Sequence, residues 1–183
     1  MWCATRWSRA SSTPTSVPAA RAEPALALAL QRGPRVPDWP VAPARLRRWV
    51  RLALAADARL TLRFCARAEA VALNRSFRGR NYPPNVLTFT YPPVPGDARA
   101  VCAADIVICV PVVRAQARAQ RKPFDHHLAH LVIHGALHAQ GHDHQTPAEA
   151  ARMEALETAL LRRLRIPDPY LARPAAGAPR APD

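Results

Sequence analysis

Residues 124–144 read FDHHLAHLVIHGALHAQGHDH. Their apolar residues recur with helical periodicity, which predicts a long helix from Phe124 to Gln140. Gly141 stands where a helix adopts a left-handed residue at its end, so we expect the chain to turn there. All 7 histidines of the chain fall between His126 and His144. Such a concentration indicates transition-metal binding.

Three of these histidines have the spacing of a metal site. His134 and His138 lie one turn apart on one helical face and could reach one ion at about 2.0–2.1 Å. His130 is about 6 Å farther along the axis, so the third ligand must come from beyond the turn, where His144 stands. The spacing H-x3-H-x5-H matches the zinc helix of the metzincins. Three ligands leave a fourth position open, as in catalytic sites, and a structural zinc ion is the alternative.

The residue after the first ligand separates this site from a zinc protease. Proteases carry a glutamate there as general base, and this chain has Gly135. The difference argues against peptidase activity and leaves room for a metal-activated water acting with another group.

The remaining polar residues of this stretch are candidates to support the metal ligands or to lie at the surface. His130 shares a face with His134 and is a candidate to support that ligand from behind. Asp143 could orient a ligand imidazole, or could be an exposed loop acid. The other three histidines are expected at the surface or at a pocket rim: His126, His127 and His142.

Outward from this helix, strand and helix periodicities alternate. Thr146 and Glu149 predict a capping box for the last helix. The helix at 68–77 is expected to bury Val71, Leu73 and Phe77. The pattern predicts a single α/β (α+β) domain with a mixed sheet of about four strands. Predicted strands cover 25–31, 59–65, 85–90 and 104–110, and predicted helices cover 43–56, 68–77, 112–120, 124–140 and 147–164.

Length and composition agree with one domain. The chain has 183 residues, 49% of them hydrophobic, and no apolar run approaches the ~18–20 residues of a membrane span. We expect a folded domain over 23–171 and a disordered tail over 172–183. Residues 1–22 are expected to be a disordered or misassigned extension, with a transit peptide as the alternative. The 4 cysteines lack C-x-x-C spacing, which favours free thiols in a reducing cytoplasm.

The charge balance suggests a polyanionic partner. The formal net charge is +13, and nucleic acid is the simplest partner for such a chain. Lys122 is the only lysine among the 26 basic residues. Because arginine, alanine and proline share GC-rich codons, genome composition is the alternative explanation.

Several motifs together resemble one family. The segment HGALHAQGHDH at 134–144 resembles the HGxLHLxGYDH signature of the YbeY family, the bacterial rRNA maturation endoribonucleases. The segments LNRSFR at 73–78 and NVLTF at 85–89 are similar to that family's LNxxYRxxxxxTNVLSF block. ADIVIC at 104–109 is similar to its GDIVIC strand, and MEALE at 153–157 and DPY at 168–170 also fit. The resemblance covers about residues 23–171.

The resemblance implies a function and a set of site residues. It implies one zinc ion per chain, bound by His134, His138 and His144 in a cleft. Arg78 matches the family's functionally important arginine, so Arg78 and His138 are the predicted catalytic residues. The implied activity is metal-dependent cleavage of single-stranded RNA, in 16S rRNA 3′-end maturation and ribosome quality control, with the small ribosomal subunit as partner and no membrane. The nucleophile would be either a water or the RNA's own 2′-OH.

The chain departs from the family pattern at several positions. His142 replaces the usual tyrosine, Pro84 a threonine and Ala104 a glycine. The helix at 112–120 lacks the family's glutamates and carries arginines, which could strengthen phosphate binding. Two rival functions are a metal-dependent hydrolase of another substrate and a non-catalytic ribosome assembly factor with structural zinc. Candidate RNA contacts, each with a solvated surface charge as the alternative, are Arg59, Arg75, Arg80, Arg114, Arg118 and Arg121.

Overall fold

The computed structural model describes residues 23–92 and 101–171. The predicted N-terminal extension and C-terminal tail lie outside these residues. The described strands are β1 (Leu26–Arg32), β2 (Ala58–Cys65), β3 (Val86–Tyr91) and β4 (Cys102–Cys109). The described helices are α1 (Pro43–Ala53), α2 (Arg67–Arg78), α3 (Val110–Ala119), α4 (Phe124–Ala139) and α5 (Pro147–Arg163).

The strands form one mixed sheet in the order β1-β2-β4-β3. β1 pairs with β2 and β2 with β4 in parallel, and β3 pairs antiparallel to β4 at the edge. This arrangement confirms the predicted α/β (α+β) domain with a mixed four-stranded sheet.

Alternating side chains of the central strands build two cores on opposite faces of the sheet. Leu62 and Ile106 belong to the larger core, which α1, α4 and α5 cover. Val107 and Leu87 belong to the smaller core, under α2. Each fully buried aliphatic side chain contributes about 1.5–3 kcal/mol, so the larger core fixes the position of α4 on the sheet.

Helix α4 is the centre of the fold and carries most of the histidines. It contacts α1, α3, α5 and the strands β3 and β4, and a helix enclosed in this way is apolar on most of its surface. Gln140 fastens its C-terminal end. The Gln140 amide nitrogen donates to the carbonyl of Ala53 at 2.8 Å, and its oxygen accepts from the amide of Ala55 at 2.7 Å.

The end of α4 and the start of α5 follow the sequence predictions. Gly141 has a φ of 87°, and the amide of His142 donates back to the carbonyl of Leu137 at 3.2 Å. This is the hydrogen bond that closes a helix around a left-handed glycine. Thr146 and Glu149 form the predicted capping box at the start of α5.

Two predictions about local structure were wrong. Helix α3 begins at Val110 rather than 112, because Pro111 fits the first turn of a helix, where its missing N–H is not needed. Phe77 is 66% exposed, and its ring lies 4.8 Å from that of Phe89 on the edge strand. The buried residues of α2 are instead Ala70 and Asn74.

The cysteines of the described chain are free thiols, namely Cys65, Cys102 and Cys109. This agrees with the predicted absence of a disulfide framework for that part of the chain. Among the described helices, none combines the length and apolar character that crossing a membrane requires.

Candidate metal centre and cleft

Three histidines converge at the end of α4. His134 and His138 are on the last two turns, and the turn at Gly141 brings His144 back over them. The ring centroids of His134 and His138 are 4.5 Å apart, and those of His138 and His144 are 4.9 Å apart. One ring nitrogen from each lies within 4.8 Å of the other two. This His group could hold a metal ion.

The lowered pKa of His138 suits a metal ligand. Metal ligation requires neutral imidazoles. Burial lowers the pKa of His138, and the neighbouring His134 and His144 lower it further. The three donors are imidazole nitrogens, a set that favours zinc and other borderline transition metals over magnesium or calcium.

Glu157 supports the centre from behind, and the sequence predictions gave it no role. Its carboxylate on α5 is fully buried. Oε1 accepts a hydrogen bond from His134 Nδ1 at 2.7 Å. Oε2 accepts one from His130 Nε2 at 2.6 Å, and a further one from the hydroxyl of Tyr170. Burial raises the pKa of this carboxyl group, but the hydrogen bonds from His130 and His134 outweigh burial and bring the pKa to about 2.

An ionised Glu157 determines which nitrogen of His134 is free. A carboxylate only accepts, so His134 Nδ1 carries a proton, and in the neutral ring that metal ligation requires Nε2 is the nitrogen with the lone pair. A carboxylate behind a ligand imidazole fixes the ring and raises its basicity. The sequence did contain a signal for this role. Met153, Glu157 and Leu161 recur every four residues on the buried face of α5, so the glutamate interrupts an apolar stripe.

The two predicted supporting residues have different positions. His130 contacts Glu157 and thereby shares a partner with His134. Asp143 accepts hydrogen bonds from the amide of His144 at 2.8 Å and from the Gln145 side chain at 2.7 Å. It therefore shapes the loop that carries His144. The hydrogen bond from the His144 amide lowers the pKa of Asp143.

The segment after α5 closes one side of the site. Tyr170 reaches back to Glu157, with its ring 5.5 Å from that of His130. Lys122 donates to the carbonyl of Pro169 at 2.6 Å. These contacts tie the residues after α5 to the loop between α3 and α4.

The histidine centre lies between two adjoining cavities of about 440 and 670 Å³. Asn85, Val86, His134 and His144 line both cavities, which together form a cleft across the centre. The larger cavity is also lined by Arg78. The cleft therefore brings together the three predicted ligands and the predicted catalytic arginine.

A hydrogen-bond relay forms the wall of the smaller cavity. The amide of Val86 can only donate, and it donates to Asn85 Oδ1 at 2.8 Å. Asn85 Nδ2 must then donate to Gln116 Oε1, at 3.2 Å. His127 Nε2, 3.1 Å from the same oxygen, must donate as well. His127 Nδ1 is consequently an unprotonated acceptor, buried and without a hydrogen-bond partner in the described protein.

The remaining histidines differ in exposure. His127, expected at the surface or at a pocket rim, is 6% exposed and lines the smaller cavity. Burial, followed by the charges of His130 and Lys122, lowers its pKa to about 4. His142 lines the larger cavity, and His126 lines a groove on another side of α4.

The other predicted RNA contacts lie outside this cleft. Arg114 lies over the ring of Phe124 at 4.4 Å. Among the described arginines, Arg78 lines the cleft. The six other candidates are exposed and line neither of its two cavities, namely Arg59, Arg75, Arg80, Arg114, Arg118 and Arg121.

The position that separates the chain from zinc proteases faces the sheet. A Cβ at Gly135 would lie 2.7 Å from Ile106 Cγ2 and 3.4 Å from Thr88 Oγ1. A side chain at this position would have to displace the Ile106 side chain.

Comparison with known proteins places the chain in a family. The model of the endoribonuclease YbeY family matches residues 43–165. The chain belongs to this family. An endoribonuclease YbeY of Thiobacillus denitrificans is 49% identical over 147 residues, covering 80% of this chain and 97% of that protein. The endoribonuclease YbeY of Bordetella pertussis is 51% identical over 160 residues, with the same coverage of 80% and 97%.

Among solved structures, a similar chain is a Thermotoga maritima protein known from its solution structure. It is 21% identical, with a TM-score of 0.46, and the match covers 75% of this chain and 91% of that one. The family assignment rests on the sequence matches.

Proposed function

We propose that this chain is a zinc-dependent endoribonuclease that cleaves single-stranded RNA in the cleft beside His134, His138 and His144. The observation that carries the proposal is the position of Arg78 in the lining of the same cavity as the three histidines. Relatives that match this chain over 97% of their own length are named endoribonuclease YbeY.

The donor set fits one zinc ion. Bound there, zinc would act as a Lewis acid on a phosphate and would lower the pKa of a water toward ~7. The chain's own residues would do the remaining work. Arg78 can fork two donors onto one phosphate and stabilise the charge that develops in the transition state.

Other cleft residues position rather than react. Glu157 is a positioning residue, because one of its oxygens holds the ring of His134 and the other accepts from His130 and Tyr170. Asn85 is fixed by Gln116 and the Val86 amide and presents a rigid polar wall. Thr88 and Thr90 line the same cavity as Arg78 and offer hydroxyl donors to a sugar–phosphate chain.

The proposal extends to a biological role. The substrate would be the 3′ precursor end of 16S rRNA on the small ribosomal subunit in the cytoplasm, where the enzyme would take part in maturation and quality control of ribosomes. A net charge of +13 supports a polyanionic substrate.

The test is cleavage of a labelled single-stranded RNA that ends in a 16S 3′ precursor sequence. Wild type, His138→Ala and Leu156→Ala are compared, with zinc content measured on each preparation. Leu156 is the control because it is exposed on α5 and lines neither the cleft nor the other described cavities. We expect cleavage by wild type and Leu156→Ala, and neither cleavage nor bound zinc for His138→Ala.

The chemical ends of the products identify the nucleophile, and two outcomes would count against the proposal. Ends with 2′,3′-cyclic phosphate identify the RNA's own 2′-OH as nucleophile, and 3′-hydroxyl with 5′-phosphate ends identify water. Full activity of His138→Ala would overturn the mechanism. Zinc and RNA binding without cleavage, on free RNA and on precursor small subunits alike, would favour a ribosome assembly factor with structural zinc.

A further inference from the structure

The solvent face of α1 is unusually basic. Leu46, Trp49 and Val50 point into the core, and the opposite face carries Arg47, Arg48 and Arg51. Arg47 and Arg51 are one turn apart, a spacing at which like charges destabilise a helix by a few tenths of a kcal/mol. No acidic residue stands in the first turn of α1. An external anion would relieve this repulsion.

Two adjoining grooves are lined by these arginines and by others at the end of α5. The grooves measure about 460 and 580 Å³, and Arg48 and Arg163 line both. We call this surface the arginine face. Its arginines are Arg45, Arg47, Arg48, Arg51, Arg163 and Arg165.

Few carboxylates neutralise the arginine face. Asp125 pairs with Arg45 at 2.9 Å, and Glu23 lines the larger groove. Arg47 donates to the carbonyl of Leu28. Within the described residues, four guanidinium groups have no hydrogen bond, ion pair or ring contact, those of Arg48, Arg51, Arg163 and Arg165.

We propose that the arginine face binds the phosphate backbone of RNA, as a second contact for a strand whose other part lies in the histidine cleft. The inference rests on the proposed function. Guanidinium groups match phosphate oxygens in pairs and keep their charge at any working pH. Concave grooves suit a strand of successive phosphates better than a flat lipid surface.

The arginine face adjoins the cleft through shared residues. His126 and Ile166 line both the smaller groove and a cavity of about 370 Å³ beneath the segment after α5. His127 and His130 line that cavity and also the cleft. Helix α1 packs directly against α4, so an RNA strand could leave the cleft on the His130 side and reach the grooves.

The first test measures RNA binding rather than cleavage. Binding of a long single-stranded RNA is followed by fluorescence anisotropy over a salt series, and a gel verifies that the RNA stays intact. The double variant Arg48→Gln/Arg163→Gln removes the two arginines shared by the grooves. The control Arg35→Gln/Arg152→Gln removes equal charge from exposed arginines that line neither groove.

For single strands, each lost phosphate contact lowers the slope of log affinity against log salt by about 0.7. We expect a slope about 1.4 shallower and about tenfold weaker binding for the Arg48/Arg163 variant, with the control unchanged. Equal slopes and affinities for wild type and both variants would overturn the proposal. The proposal would also be overturned if the Arg48/Arg163 variant lost binding to a polyglutamate peptide or to anionic vesicles while it bound RNA as wild type does.

A cleavage arm separates this inference from the proposed function. The Arg48/Arg163 variant should cleave a short oligonucleotide held only by the cleft at the wild-type rate, and should show a raised KM on the long RNA. If wild type binds RNA with the arginine face but cleaves neither RNA, that result contradicts the proposed function and leaves the arginine face supported. Cleavage and binding of long RNA unaffected by the two substitutions contradict the arginine face alone.

Discussion

Glu157 Oε1 lies 2.7 Å from His134 Nδ1, so a carboxylate on α5 orients a ring on α4. The other carboxylate oxygen accepts a hydrogen bond from His130 at 2.6 Å. The geometry of the candidate metal centre therefore depends on how α5 packs against α4. A shift of α5 along α4 would release the ring of His134.

Replacing Glu157 by glutamine should weaken zinc binding. A neutral amide has one accepting oxygen, and its NH2 group would face the N–H of either His130 or His134. Loss of such a supporting carboxylate typically costs 10–100-fold in metal affinity, and we expect an effect of about that size. Competition with a chromophoric chelator measures it. Arg152→Gln, an exposed change on the same helix outside both cavities of the cleft, is the control, and equal zinc affinities of the two variants would contradict the role of Glu157.

Replacing Arg78 by alanine should slow cleavage and leave zinc in place. The side chain lines the cavity of the histidine centre, and removal of one transition-state donor costs about 100- to 1000-fold in rate. Arg78→Lys should recover part of the rate, because lysine keeps the charge and loses the fork. Arg67→Ala, at the other end of α2, is the control. Unchanged cleavage by Arg78→Ala, or loss of its zinc, would argue against a direct role on the phosphate.

Replacing Gly135 by alanine should destabilise the fold. Alanine gains up to about 1 kcal/mol of helix propensity over glycine. The new Cβ would lie 2.7 Å from Ile106 Cγ2, and overpacking of a core costs about 1–3 kcal/mol. We expect a net loss in urea unfolding. In a double-mutant cycle with Ile106→Ala the two losses should be less than additive, whereas additive losses would show that the two side chains do not clash.

The histidine centre was predictable from the sequence because its geometry is local. His134 and His138 follow from the helical period, and Gly141 determines where the chain turns to bring in His144. Glu157 is different. It is 23 residues from His134, and the rotation of α5 against α4 depends on tertiary packing that no local period encodes.

Burial was predictable where an element lies over the middle of the sheet. Leu46, Trp49 and Val50 are buried on one face of α1, the helix predicted at 43–56. The prediction that Phe77 is buried was wrong, because the partner of its ring is Phe89 on β3, an edge strand, and the ring stays 66% exposed. Helical period identifies the inward face of a helix, but it does not say how far the sheet beneath extends.

His127 should make the protein less stable in mild acid. The pKa of its imidazole is about 4 in the folded chain, against about 6.5 unfolded. Below pH ~6.5 His127 therefore binds a proton in the unfolded chain but not in the folded one. As the pH decreases from ~6.5 to about 4 the free energy of unfolding decreases, and below about pH 4 this contribution is constant. The full loss approaches about 3 kcal/mol.

The variant His127→Gln isolates this effect. Glutamine does not titrate, and its amide can still donate to Gln116, which His127 Nε2 contacts at 3.1 Å. The free energy of unfolding of the variant minus that of wild type, measured by urea unfolding from about pH 7.5 to about pH 4, should rise as the pH falls below ~6.5. Subtraction cancels the titrations that both proteins share, including those of the histidine centre. A difference that stays flat across this range would mean that His127 takes up a proton in the folded state, which would require a partner for Nδ1.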